Sequence, residues 1–214
     1  MPIHLHQHIE PEGELGIWQI TESEAWFRDN LYLYPAELRQ LAGIKGRRRV
    51  EWLAVRHLVH HMSGREERGA FVKDEYGKPH LENSRWQISI SHSGELAAAI
   101  AGPTSVGIDI QRLVGNIERT AHRFMREDEM ACLDEDQRLE HIHLFWGAKE
   151  CLYKAYGRRQ LHFKDNLIIH PFQLDWDRGV FSGEVVKDGQ RLCYRLHYRM
   201  IASFVLVYAV EVNC

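Results

Sequence analysis

Gly102-Pro103-Thr104-Ser105-Val106-Gly107-Ile108-Asp109-Ile110-Gln111 is the stretch on which the architecture turns. A glycine followed by a proline is the clearest break in the chain, and it falls near the midpoint of 214 residues. Regular structure then restarts. Ile108 and Ile110 point one way, Asp109 and Gln111 the other, which is the alternation of a strand with one face toward a core. The break divides the chain into residues 1–103 and 104–214, each long enough for a small domain.

Working back from the break, Leu96 to Ala101 reads as a small-residue strand, preceded by Ile88-Ser-Ile-Ser-His-Ser-Gly94. There Ile88 and Ile90 face a core, Ser89 and Ser91 face away, and His92 arrives where the strand ends. Asp74-Glu-Tyr-Gly-Lys-Pro79 is a turn in which Gly77 and Pro79 hold Lys78 outward. Gly46 to about Met62 is helical, and its first turn carries Arg47, Arg48 and Arg49. The helix macrodipole disfavours cations there, unless they share an anion with the free backbone N–H groups. Pro35 and Gly43 bracket a shorter helix, and Ser23 caps another. His4, His6 and His8 alternate along an extended start, as an edge strand with three imidazoles on one side.

Beyond the break, Asn116 to Arg123 reads as a short helix, and a longer helical stretch runs to Tyr156. Strands are expected over 167–174, 179–186, 192–198 and 202–210, with Asp188-Gly189 turning between the second and third. Residues 201–210 are almost unbroken apolar and are expected to form the central strand. Helices and antiparallel strands in each half make an α+β pattern.

Composition narrows the function. With 44% hydrophobic and 27% charged residues the chain is an ordinary globular one, and no apolar run approaches the roughly 20 residues of a membrane span. A net charge of −3 argues against bulk attraction to nucleic acid. The start lacks a signal-peptide pattern, and Cys132, Cys151, Cys193 and Cys214 form no CxxC pair. Reduced thiols in the cytoplasm are therefore the expectation.

The chemistry-bearing residues gather around Phe145-Trp-Gly-Ala-Lys-Glu-Cys-Leu-Tyr-Lys-Ala-Tyr-Gly157. Glu150 and Lys154 stand four apart, on one helix face. Alone they read as a solvated ion pair. A carboxylate on a strand (Asp109) and one on a helix (Glu150) also suit a single hard cation such as Mg²⁺, which takes one or two carboxylates plus substrate phosphates and water. The first half supplies opposite charge in Arg47 to Arg49, Lys78 and His92. Spacing leads to a cation-plus-phosphate site and assigns no reaction.

Four motifs in order go further: Glu75-Tyr-Gly-Lys-Pro79, Ile90-Ser-His-Ser93, Gly107-Ile-Asp-Ile-Gln111 and Trp146-Gly-Ala-Lys-Glu-Cys-Leu-Tyr-Lys154. Over residues 10 to 212 the chain resembles the Sfp-type 4′-phosphopantetheinyl transferases. The resemblance implies a pseudo-dimer of two similar α+β halves with the active site in the cleft between them. It implies Mg²⁺-dependent transfer of phosphopantetheine from coenzyme A to a serine of an apo acyl carrier protein or peptidyl or polyketide carrier domain. Adenosine 3′,5′-bisphosphate leaves.

By matched position, Asp109 and Glu150 are the expected metal ligands and Lys154 the cation on the pyrophosphate or leaving group. Lys78, Ser91 and His92 are expected on the coenzyme A phosphates, and Arg47 and Arg56 face the nucleotide. Arg48, Arg49 and Lys45 are surplus in this reading. Glu129 matches a glutamate on the proton-removal path, leaving Glu129, Glu150 and a metal-bound water as alternatives for the base. One position departs from the pattern: the last acidic residue of the family's metal strand is Gln111 here, a neutral second-shell or weak ligand. A catalytically silent coenzyme A or carrier-binding module is the alternative reading. A histidine-based metal protein, suggested by His57, His60 and His61, lacks acidic or cysteine partners nearby. A monomer is expected, with no nucleic-acid or membrane partner.

Overall fold

A computed structural model describes residues 3–214 and resolves two units that divide after Pro103, each with its own sheet. Both units are α+β.

In the first unit, strands β1 (Ile3–His8), β2 (Glu14–Gln19), β3 (Phe71–Lys73), β4 (Pro79–Leu81), β5 (Gln87–Ser93) and β6 (Leu96–Gly102) make an antiparallel sheet ordered β1-β2-β6-β5-β4-β3. β1 is an edge strand on which His4, His6 and His8 are exposed. His6 and His8 meet Glu14 of β2, at 2.9 and 3.5 Å. Helix α1 (Glu24–Asp29) starts at Ser23, whose Oγ accepts from the Trp26 amide at 3.2 Å, and α2 (Pro35–Ala42) starts at its proline. Helix α3 (Arg48–Ser63) ends at Gly64, which adopts φ 58°. α3 lays Leu58, Val59 and Met62 over the sheet. A Cβ on Gly16 of β2 would lie 2.6 Å from the Met62 sulfur, so the helix crosses where the strand has no side chain.

In the second unit, β7 (Val106–Arg112) is followed by a 3₁₀ turn over Gly115–Thr120, α4 (Ala121–Phe124), α5 (Glu127–Ala131) and the long helix α6 (Arg138–Tyr156). β8 (Leu167–Ile169), β9 (Arg178–Lys187), β10 (Gln190–Ile201) and β11 (Phe204–Val212) complete a sheet ordered β7-β11-β10-β9-β8. Phe145, Ala148, Cys151 and Leu152 of α6 pack on Val205, Val207 and Ala209 of β11. Trp146 is half-buried against Phe163 and Phe124.

Four expectations change. The helical stretch ending at Tyr156 is broken at residues 132–137, because the Asp134 carboxylate takes the Asp136 and Gln137 amides at 2.9 and 3.1 Å and competes with helix continuation. β8 stops at Ile169, one residue short of His170-Pro171, where proline has no N–H for a ladder. The apolar stretch from 201 begins its strand only at Phe204, after a turn with Ala202 at φ 50°, and the middle strand is β10. Cys193 and Cys214 form a disulfide, Cα atoms 5.2 Å apart, so the expectation of four reduced thiols fails. Antiparallel pairing places Cys193 opposite Val212, two residues from Cys214, which brings distant cysteines together. Cys132 and Cys151 are free. Among the described residues, no helix is long and apolar enough to cross a membrane.

Candidate active site

The second unit's site is set by how closely α6 approaches β7. A Cβ on Gly107 would fall 1.9 Å from the Cys151 carbonyl oxygen, and one on Gly147 would fall 2.9 Å from Gln111 Nε2. No other residue fits either position without moving backbone or the glutamine. At this separation Lys154, in the last turn of α6, donates to the Ile108 carbonyl and to Asp109 Oδ1, both at 2.8 Å. Burial opposes the Lys154 charge, but Asp109 overrides it and raises the pKa. Glu150, half-buried one turn earlier, is shifted upward as well. Burial and the neighbouring Asp109 raise its pKa, and Lys154 offsets only part of this. The pair is therefore no simple Glu150–Lys154 bridge, since the lysine's direct partner is Asp109.

Gln111, two residues along β7, gives its amide nitrogen to Asp109 Oδ2 at 3.2 Å and to the His143 carbonyl at 3.1 Å. Its oxygen lies 2.9 Å from His143 Nδ1. His143 is buried, which lowers its pKa.

Glu129 lies away from this surface chemistry. It is 1% exposed and 2.8 Å from Lys149, which is 0% exposed. Its carboxylate also takes the Arg126 and Ile169 amides, at 2.8 and 3.0 Å. Lys149 uses its remaining donors on the Phe163 and Leu167 carbonyls, at 3.0 and 2.8 Å. Burial pulls the Lys149 pKa down against the Glu129 charge. This saturated pair ties α5, α6 and β8 together.

In the first unit, a cavity of about 560 Å³ is lined by Lys45, Arg48, Trp52, Arg56, Ile90 and His92 among others, with no carboxylate in its lining. Arg56, 4% exposed, stacks its guanidinium 3.2 Å over the Trp52 ring. Its Nε bonds Glu37 Oε1 at 3.1 Å. Arg68 binds both oxygens of the same carboxylate, which also takes the Tyr34 and Phe71 amides at 3.3 Å. Burial brings Arg56 down to about 10, still charged at neutral pH. Two guanidiniums on one carboxylate leave a surplus positive charge in the cavity wall. His92 Nδ1 lies 3.1 Å from Glu51, itself 3.7 Å from Arg47.

The sequence model of the 4′-phosphopantetheinyl transferase superfamily matches residues 105–209, nearly the whole of this second unit. The second unit is similar to the 4′-phosphopantetheinyl transferase superfamily. A curated relative, the 4′-phosphopantetheinyl transferase gsp of Aneurinibacillus migulanus, is 31% identical over 111 residues, which covers 50% of this chain and 46% of that protein. The chain spans about half the length of the curated relative it matches. The family expectation drawn from the four motifs is borne out.

Within this unit, β7 and α6 bring Asp109, Glu150 and Lys154 together. Three expected residues sit differently. Glu129 is enclosed by its pairing with Lys149. Gln111 turns its nitrogen toward Asp109 and its oxygen toward His143 Nδ1. Arg56 reaches the cavity but spends Nε on Glu37 and Nη1 on the Trp52 carbonyl.

In the first unit, Arg47 is mostly exposed, and Arg47, Lys78 and Ser91 all lie outside the cavity lining. Lys78 lies in the 74–78 turn, whose Asp74 side chain takes the Lys78 and Tyr76 amides at 2.9 Å. Ser91 is buried on β5. Arg49 is a structural tie, bidentate to Glu24 at 2.7 and 2.8 Å. Lys45 and Arg48, set aside as surplus, line the cavity instead. Their signal was the density of cations before α3, which does not say which of them turns inward.

Proposed function

We propose that the protein transfers 4′-phosphopantetheine from coenzyme A to a serine of an apo carrier protein, an acyl carrier protein or a peptidyl or polyketide carrier domain, releasing adenosine 3′,5′-bisphosphate. The observation that carries the reading is the grouping of Asp109, Glu150 and Lys154 on β7 and α6, at a separation fixed by Gly107 and Gly147. Phosphoryl transfer asks a protein mainly for positioning and charge stabilisation, which such a grouping supplies.

Mg²⁺ fits the donor set. Two oxygen-donor carboxylates, one with its proton affinity raised by burial and by the other's charge, gain from a shared cation. Among the described residues no group of three or more ligating side chains forms. That suits an ion taking one or two carboxylates and completing its shell from substrate phosphate and water. Asp109 and Glu150 would hold it, and when bound it would neutralise charge on the pyrophosphate.

Lys154 holds Asp109 in place and keeps its ammonium beside the phosphates. Removal of the serine proton falls to Glu150, directly or through one water, or to another water at this site. Arg48, Lys45, Arg56 and His92 bind the 3′-phosphate or pyrophosphate end of coenzyme A in the first unit's cavity. Lys78, Ser91 and Arg47 remain part of this proposal as further phosphate contacts. The pseudo-dimer arrangement, a single coenzyme A serving both units, a cytoplasmic setting and a monomeric state rest on the family resemblance.

The test is incubation with coenzyme A, Mg²⁺ and an apo carrier, followed by mass spectrometry of the carrier. A gain of one phosphopantetheine that disappears in Glu150→Ala is expected. Coenzyme A binding without transfer to any of several carriers would favour a silent binding module. Full transfer by Glu150→Ala would remove Glu150 from the machinery.

A further inference from the structure

His143 is 1% exposed and one helical turn before Gly147, on the α6 face that meets Gln111. Its Nε2 lies 2.9 Å from the Val114 amide, which can only donate. Nε2 therefore accepts, and the neutral ring keeps its proton on Nδ1, 2.9 Å from Gln111 Oε1. The Val114 carbonyl is also 3.2 Å from Nε2. Donation to it would leave a bare Nδ1 facing the glutamine oxygen, two acceptors in contact, so this tautomer is disfavoured. With Oε1 fixed by His143, the amide nitrogen must face Asp109 Oδ2 and the His143 carbonyl, at 3.2 and 3.1 Å. The reversed amide would set its oxygen against both acceptors.

We infer that His143 is a positioning residue for Asp109, acting through Gln111. The neutral Gln111–His143 pair stands where the family pattern has an acidic ligand, and it steers Asp109 instead of adding a ligand. Asp109 thereby has Oδ1 turned by Lys154 and Oδ2 turned by Gln111. Partners behind a metal ligand set its orientation, and their loss weakens metal binding although they never touch the ion. The inference rests on the reading of Asp109 as a cation ligand.

Nitrogen-15 NMR of the metal-free protein reads the linkage directly, with the His143 ring expected protonated at Nδ1 and bare at Nε2. Calorimetric titration with Mn²⁺, coenzyme A present, reads the consequence. His143→Phe keeps ring volume and loses both nitrogens, so Mn²⁺ affinity is expected to fall roughly 10- to 100-fold. His143→Asn retains an N–H near the Nδ1 position and is expected to recover to within about threefold of the parent. Thermal midpoints of the two variants are compared alongside. A ring protonated at Nε2 overturns the inference without any variant. So does parental affinity in His143→Phe, or equal loss in both variants at matched midpoints. A parent protein that binds no Mn²⁺ overturns the metal reading, and this inference with it. Binding by the parent that is indifferent to His143 overturns the inference alone.

Discussion

Lys149 and Glu129 face each other across 2.8 Å at a depth where neither side chain meets solvent. Removing one partner leaves the other charged and buried, which costs about 3–5 kcal/mol. Glu129→Ala is therefore expected to lower the urea midpoint sharply. Glu129→Gln, which keeps most of the volume, should retain transfer within a few-fold per folded molecule. A thousandfold loss of turnover in folded Glu129→Gln would return this glutamate to the proton path.

Gly107 predicts a coupling of packing to chemistry. The methyl of Gly107→Ala would sit 1.9 Å from a carbonyl oxygen of α6, so the helix must shift from β7. A misplacement of about 1 Å can cost on the order of 10²-fold in rate. Turnover is expected to fall by that order together with a lower thermal midpoint. Near-parental turnover would mean that the spacing is not what sets the site.

Histidines partly or fully shielded from solvent give the molecule an acid-sensitive stability. Burial lowers the pKa of His57, His60, His141 and His197 from the usual 6.5. The unfolded chain therefore binds protons first as pH drops below about 6.5, while the native state resists them. The stability these sites hold above that pH is lost as pH falls toward their lower folded values. A lower urea midpoint at pH 5.5 than at pH 7.5 is expected, and an equal or higher one would contradict it. Lowered carboxylates such as Glu37, with a usual value of 4.5, act in the same direction only in stronger acid.

The Cys193–Cys214 bond predicts two reactive thiols in the denatured, unreduced protein, from Cys132 and Cys151, and four after reduction. The bond spans 21 residues, and closing such a loop stabilises by roughly 3 kcal/mol. Reduction should lower the thermal midpoint. Four thiols before reduction would mean that the bond does not form in solution.

The strand alternation of Ile108-Asp109-Ile110 and the glycine-proline break were readable because periodicity and backbone chemistry are local. Glu150 and Lys154 were readable as one face because four residues make one helical turn. The pairing of Lys154 with Asp109 was not, since it depends on the distance between two elements. That distance is set by Gly107 and Gly147, whose lack of side chains looks unremarked in sequence. Glu129 and Arg56 read as chemistry because motif position says nothing of burial. Their partners, Lys149 and Glu37, lie 20 and 19 residues away. His143 went unnoticed as one of fourteen histidines. Only its contacts with Val114 and Gln111 distinguish it.

The triad of Arg56, Glu37 and Arg68 carries one more positive than negative charge in nearly dry surroundings. Guanidiniums do not release protons across the biological pH range. His92 lines the same cavity. The wall behind it keeps its sign. The cavity's pull on anions should therefore respond only weakly to acidity, and salt should screen the buried triad less than it screens exposed charges. An entering phosphate would offset that surplus, making it the fourth member of an arrangement that the folded chain leaves at three.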